Sequence, residues 1–233
     1  MIVFYFAKII FFNKFRGKTC LKNNLNKMKA LLIVDLQNDF LPNGSLAVAD
    51  GDLIIPVINE LQHYFDIIVA TQDWHPPQHK SFASNHEHKK AFDEIVLNGQ
   101  QQTLWPDHCL QNSHGAALSS ALHQEKICAV FRKGMNPEVD SYSGFYDNDK
   151  RNTTGLNGYL KEMGITRVFI CGLAADFCVH FTAKDALSLG YTTYFVEDAT
   201  KAINKDHFMV QKKMLAEEGV IFTTSEAIKK PAL

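Results

Sequence analysis

What this sequence has little of narrows its function before any motif is found. An excess of one charge is missing: 24 Lys and Arg stand against 25 Asp and Glu, a formal net charge of −1. Such a chain carries no global field toward nucleic acid or an acidic membrane surface. Paired cysteines are missing too. The five (Cys20, Cys109, Cys128, Cys171 and Cys178) form no C-x-x-C and leave one over. That argues against a disulfide framework and for a reducing cytoplasm. There is no internal repeat, no low-complexity tract and no apolar run of the roughly 20 residues that a membrane-spanning helix needs. What is present is ordinary for a globular protein: 46% hydrophobic and 21% charged residues over 233 positions. That is enough for one generous domain with a sizeable core and short for two.

The N-terminus stands apart. Residues 1–12, MIVFYFAKIIFF, are apolar with one lysine, and NKFRGKTCLKNNLNK after them is basic and polar. A secretory signal would put its positive charges first and end at a small-residue cleavage site, and neither pattern is clear. Met28 then opens MKALLIVDLQNDF, which reads as the beginning of a compact domain. The expectation is an extension outside the fold over residues 1–27, of the kind an erroneous upstream start adds, and one domain over 28–233. A membrane anchor is the minority alternative for the extension.

Six short apolar runs have the size of buried strands: ALLIV (30–34), IIVAT (67–71), ICAVF (127–131), RVFICG (167–172), TTYFVE (192–197) and VIFTT (220–224). Several are continuously apolar, as expected for parallel strands covered on both faces. Helical spacing occupies Leu53 to Tyr64, Gly115 to His123, Thr154 to Met163, Asp176 to Leu189 and Lys205 to Glu218, with Gly164, Gly190 and Gly219 where helix C-caps belong. The alternation predicts an α/β fold: a doubly wound, mainly parallel six-stranded sheet with helices on both faces. From Gln72 to Ser113 there is little regular pattern, and a connection so long is usually functional or disordered.

In open α/β sheets, ligands bind outside the carboxyl ends of the strands. Asp35 follows the first predicted strand, Asp73 and His75 the second, Lys133 the third and Cys178 the fourth. An acid, an amine, a thiol and a candidate metal pair thus converge on one edge. Asp176 reads as the N-cap of the helix that carries Cys178, which puts the thiol in the first turn. There the helix dipole and free backbone N–H groups favour a thiolate, and a nearby Lys133 adds to that. Asp35 is the candidate base that takes the thiol's proton and returns it to a leaving amine. Taken singly, Cys178 reads equally well as a small buried hydrophobe, and Cys128 and Cys171 read that way more strongly.

Asp73-x-His75 with a distant His108 is a usual ligand mix for Zn²⁺, Fe²⁺ or Mn²⁺, and three protein ligands leave positions open for substrate or water. His79 is a candidate additional ligand. By itself a D-x-H pair with a remote histidine is unspecific. His86, His88, His114, His123 and His207 read as surface residues, and His180 as a helix-face residue with a satisfied hydrogen bond.

Five blocks, in order, carry a resemblance: LLIVDLQNDFLPNGSLAV, TQDWHPPQHKSFASNH, LWPDHCLQNSHGAAL, RKGMNPEVDSYSGF and ICGLAADFCVHFTAKDALSLGY. From Met28 almost to the C-terminus the chain resembles the nicotinamidases of the isochorismatase-like cysteine hydrolase superfamily. The resemblance implies a catalytic triad of Asp35, Lys133 and Cys178. It implies one divalent metal ion per chain, Zn²⁺ ahead of Fe²⁺ or Mn²⁺, on Asp73, His75 and His108, with His79 where some members supply a further ligand. It also implies a cis peptide at Leu173–Ala174 and an oxyanion hole formed by the backbone N–H groups of Ala174 and Cys178. Phe40 and Trp105 match aromatic walls of the family's pocket and Tyr142 a further pocket residue; each alone would read as core packing. Ala175 departs from the threonine of many members, which touches fine pocket geometry, and the N-terminal extension is a second departure.

The implied reaction turns nicotinamide and water into nicotinate and ammonia through a Cys178 thioester, with the metal on the pyridine nitrogen and pyrazinamide also accepted. The partner implied is a small-molecule substrate, without nucleic acid or membrane. The oligomeric state is left open, a homo-oligomer included. The competing readings are a related hydrolase of ureido, carbamoyl or vinyl-ether substrates, whose members generally lack the metal set; a metal-hydroxide mechanism with a structural Cys178; and a non-catalytic small-molecule binder, against which the retained acid, amine and thiol argue.

Overall fold

The computed structural model describes residues 28–230, so the expectations for residues 1–27 lie outside the described residues. In chain order the elements are β1 (Met28–Val34), α1 (Ile55–Leu61), β2 (Ile67–Asp73), β3 (Glu94–Leu97), β4 (Gln100–Thr103), β5 (Ala129–Lys133), α2 (Leu156–Glu162), β6 (Ile165–Leu173), α3 (Cys178–Ser188), β7 (Thr192–Lys201), α4 (Lys205–Glu218), β8 (Ile221–Thr223) and α5 (Ser225–Lys229). Six strands form one sheet in the order β5-β2-β1-β6-β7-β8. Every pairing in it is parallel. The order reverses between β1 and β6, the switch point at which doubly wound sheets bind their ligands.

The continuous apolar runs follow from burial on both faces. Leu31 and Ile33 of β1 pack with Ile55, Ile58 and Leu61 of α1. Ala30, Leu32 and Val34 pack instead with Leu156 and Leu160 of α2, Val179 and Ala183 of α3, and Leu215 of α4. A strand sandwiched this way cannot alternate polar with apolar, and each fully buried Leu, Ile or Val contributes roughly 1.5–3 kcal/mol. Gly164, Gly190 and Gly219 all adopt positive φ just past helices, as their placement predicts.

The departures have local causes. The third strand runs through Lys133 rather than ending at Phe131, because it extends the edge of the sheet in register with β2 until Asp73 pairs with Lys133. Gly115 to His123 contains no helix. Its backbone is spent on the 35–40 segment instead: Asn38 N donates to Ala117 O, Asp39 N to Gly115 O and Ser119 N to Leu36 O, each within 3.0 Å. Tertiary hydrogen bonds override the helical spacing there. The segment expected to be patternless holds the β3–β4 hairpin, turned by Asn98 and Gly99 at φ 51° and 82°. The short α5 was not predicted; Thr224 caps it, its side chain accepting from Ala227 N. Asp176 does not cap α3. Phe177 holds the N-cap position with no side-chain bond, and the Asp176 carboxylate accepts from Ile203 N at 3.0 Å and Asn204 N at 2.8 Å. Among the described residues no helix is long and apolar enough to cross a membrane.

Candidate active site

The parallel register delivers the chemistry to one edge. Asp35 follows β1 directly, Asp73 ends β2, Lys133 ends β5, and Cys178 is the first residue of α3, reached from β6 across a cis peptide at Leu173–Ala174. Lys133 is the hub. Its Nζ lies 2.8 Å from Asp35 Oδ2 and 2.5 Å from Asp73 Oδ1, and it donates to Ser141 O at 2.8 Å and toward Cys178 Sγ at 3.4 Å. Thr71 steadies the acid, accepting from Asp35 N at 3.2 Å and donating to Asp35 Oδ1 at 2.6 Å. Asp35 Oδ2 makes no directed hydrogen bond beyond its ion pair, and a carboxylate oxygen of Asp35 lies within 4.8 Å of Cys178 Sγ.

Burial decides which form each group takes. It would discharge the Lys133 amine, but Asp35 and Asp73 outweigh it and hold the pKa well above the ordinary value. Burial pushes the Cys178 thiol well up, with only part of that offset by Lys133. Burial thus works against the thiolate that the helix N-terminus and Lys133 favour. The pKa of Asp35 is raised by burial despite Lys133. Asp73 is held well down, since Lys133 and His75 overcome its burial.

The metal-ligand candidates lie beside this group. Asp73 Oδ2 is 3.4 Å from His75 Nε2 and 3.6 Å from His108 Nε2. All three donor atoms fall within 4.8 Å of one another. Each imidazole turns its far nitrogen to a backbone carbonyl, His75 Nδ1 to Gly134 O at 2.9 Å and His108 Nδ1 to Pro106 O at 2.8 Å. With Nδ1 engaged by a carbonyl, both Nε2 atoms lie on the Asp73 side, the arrangement of metal-binding histidines. The residues fit a divalent ion. Gly134 sits at φ 67°, and a Cβ there would fall 2.3 Å from His75 Cε1, so the approach needs glycine. His79 groups with His75 and Asp140 rather than with Asp73 and His108. Its Nδ1 is engaged with Ser81, its Nε2 is buried without a partner, and burial brings its pKa down to about 4.

A pocket opens onto the thiol. Phe40, Trp105, Tyr142 and Ala174 line it as the resemblance implies, together with Asp73, His108 and Cys178. Leu46, Asp140, Phe177 and Ile203 also line it, and none of them was expected. Phe177 packs edge-on to Trp105 with ring centroids 4.8 Å apart; its only sequence signal is its place next to Cys178. Ser141, whose carbonyl binds the lysine, gives no signal at all. Outside the site, Cys171 is buried as predicted but Cys128 is exposed. His180 corrects its expectation: Nδ1 is buried without a partner, and burial lowers its pKa to about 4.

Comparison with known proteins agrees with this fold. Residues 29–227 match the Isochorismatase domain model. The chain is 52% identical over 175 residues to a nicotinamidase of Acinetobacter baylyi, covering 75% of this chain and 82% of that one. A solved nicotinamidase–pyrazinamidase of Acinetobacter baumanii superposes with a TM-score of 0.84 at 44% identity, over 89% of this chain and all (100%) of the other. The pyrazinamidase of Pyrococcus horikoshii in complex with zinc gives a TM-score of 0.70 at 36% identity, over 84% and 98% of the two chains. This chain belongs to the isochorismatase family, alongside its nicotinamidase members.

Proposed function

We propose that this chain hydrolyses nicotinamide to nicotinate and ammonia, and pyrazinamide likewise, through a thioester on Cys178. The observation that carries the reading is the single ammonium of Lys133, in contact at once with Asp35, Asp73 and Cys178. It ties a nucleophile and its base to a ready-made metal-ligand set. As Sγ bonds to the amide carbon, its proton passes to Asp35 Oδ2 and the carbonyl π electrons move onto oxygen. The N–H groups of Ala174 and Cys178 donate to that oxygen; the first residues of a helix have no intrahelical acceptor of their own. Collapse restores the carbonyl, breaks the C–N bond and returns the Asp35 proton to nitrogen as ammonia leaves. Water then attacks the thioester, giving a proton to Asp35. The C–S bond breaks and the thiol recovers that proton.

Asp73, His75 and His108 would hold one divalent cation, with Zn²⁺ favoured by the Asp–His–His donor set. When bound, it supplies a coordination position for the ring nitrogen. Two formal carboxylate charges on Asp35 and Asp73 against one lysine also favour a cation there. Phe40 and Trp105 would flank the flat ring. Residues 28–233 constitute the hydrolase domain in this reading, residues 1–27 stand outside it, and a free-thiol nucleophile suits the cytoplasm.

Ammonia release from four amides, with and without chelator, tests the arrangement. Nicotinamide and pyrazinamide each have a ring nitrogen meta to the carboxamide-bearing carbon and should be hydrolysed. Benzamide lacks the nitrogen and picolinamide misplaces it, so both should be far poorer, because a site built for a polar partner rejects the analogue without it. Equal kcat/KM for benzamide and nicotinamide would overturn the ring-anchoring role.

A further inference from the structure

The β3–β4 hairpin sends one side chain into the pocket wall. Gln102 is 4% exposed, and its Nε2 lies 2.8 Å from Thr103 O, 2.9 Å from Asp140 Oδ2 and 3.1 Å from the Tyr142 hydroxyl. The amide orientation is dictated by its surroundings. Turned the other way, Oε1 would face a carbonyl and a carboxylate, neither of which can donate. Nitrogen must therefore point at all three oxygens, its two hydrogens shared among them.

The consequence falls on Tyr142. Its hydroxyl oxygen also meets Trp105 Nε1 at 3.3 Å. Both of its neighbours are N–H donors, so neither can take the phenolic hydrogen. Among the described residues the hydroxyl makes no other hydrogen bond. Tyr142 lines the same pocket as Cys178 and Ala174. We propose that Gln102 is a positioning residue that fixes the Tyr142 hydroxyl as a hydrogen-bond donor to an acceptor oxygen on the bound ligand. The hairpin thereby contributes to substrate recognition through a residue that itself touches no substrate. This inference rests on the proposed pyridine-carboxamide substrate.

Two neutral pyridines test it as inhibitors of the metal-loaded enzyme: 3-acetylpyridine, which carries a carbonyl acceptor and no leaving group, and 3-ethylpyridine, which has nearly the same shape and no acceptor. Tyr142→Phe removes the donor. Gln102→Glu gives the hydroxyl an internal acceptor and turns its hydrogen away from the pocket. Each should raise the Ki of 3-acetylpyridine by up to about tenfold, the weight of one hydrogen bond, and leave that of 3-ethylpyridine unchanged. In the Tyr142→Phe background Gln102→Glu should add little, since the two act through one hydrogen. Gln102→Met, neutral and of similar size, should shift the same constant in the same direction and guards against a charge effect of the glutamate beside Asp140. Parallel shifts for both pyridines would mean a merely structural role, and unchanged constants or fully additive losses would equally overturn the proposal. A wild-type enzyme that hydrolyses no pyridine carboxamide and binds neither probe would instead remove the substrate reading, and this inference with it.

Discussion

The two halves of the site are built differently. The thiol half stands on regular structure: Asp35, Lys133 and Cys178 sit where strands end or a helix begins, and a single buried ion network joins them. The histidine half stands on irregular chain. His75 lies just after β2 and His108 between β4 and β5, held by hydrogen bonds to the carbonyls of Gly134 and Pro106. Asp73 belongs to both, with Oδ1 on the lysine and Oδ2 toward the histidines. The thiol half is thus fixed by sheet register, the metal half by backbone carbonyls. They should fail in different ways: damage to the first removes chemistry, and damage to the second removes ligand anchoring.

The sharpest way to break the comparison is Cys178→Ala. If the thiol half carries the bond-breaking, turnover should fall at least about a thousandfold, as when a covalent nucleophile is lost, with the melting temperature nearly unchanged. Appreciable ammonia release by the folded variant would move the chemistry to the metal half. A smaller effect is expected from Gly134→Ala. The new methyl would press on the His75 ring and impose positive φ on alanine, and disturbed support of a ligand typically costs about 10–100-fold in metal affinity. Zinc titration should show that loss while alkylation of Cys178 proceeds at the wild-type rate; an unaltered zinc affinity would mean the carbonyl contact does not tune His75. The least effect belongs to residues 1–27. The proposed reading places them outside the domain, so a chain beginning at Met28 should match the full chain in kcat/KM, and loss of folding would show that the extension belongs to the domain.

The same division decides what could be read from sequence. Strand ends are legible because buried parallel strands are continuous apolar runs, and the rule for open sheets then names Asp35, Asp73, Lys133 and Cys178 without further help. His108 is only a weak candidate, and the pocket aromatics none at all, without the long matched blocks, because irregular chain has no period. The Gly115–His123 segment misleads, since its helical spacing records burial against the 35–40 loop rather than helix. The hairpin carries a signal of its own: Asn98-Gly99 is among the strongest short signals for a two-residue turn. The weight of burial on Cys178 could not be read, because it depends on how much water the fold removes.

Lys133 sits on β5, which is the edge of the six-stranded sheet and pairs with β2 alone. Edge strands fray at a lower free energy than the core unfolds. One such excursion would draw the ammonium away from Asp35, Asp73 and Cys178 together, leaving two carboxylates buried side by side without their counter-ion. Peeling back of this one peripheral strand, with the other five still in place, is therefore expected to silence the site without melting of the whole domain.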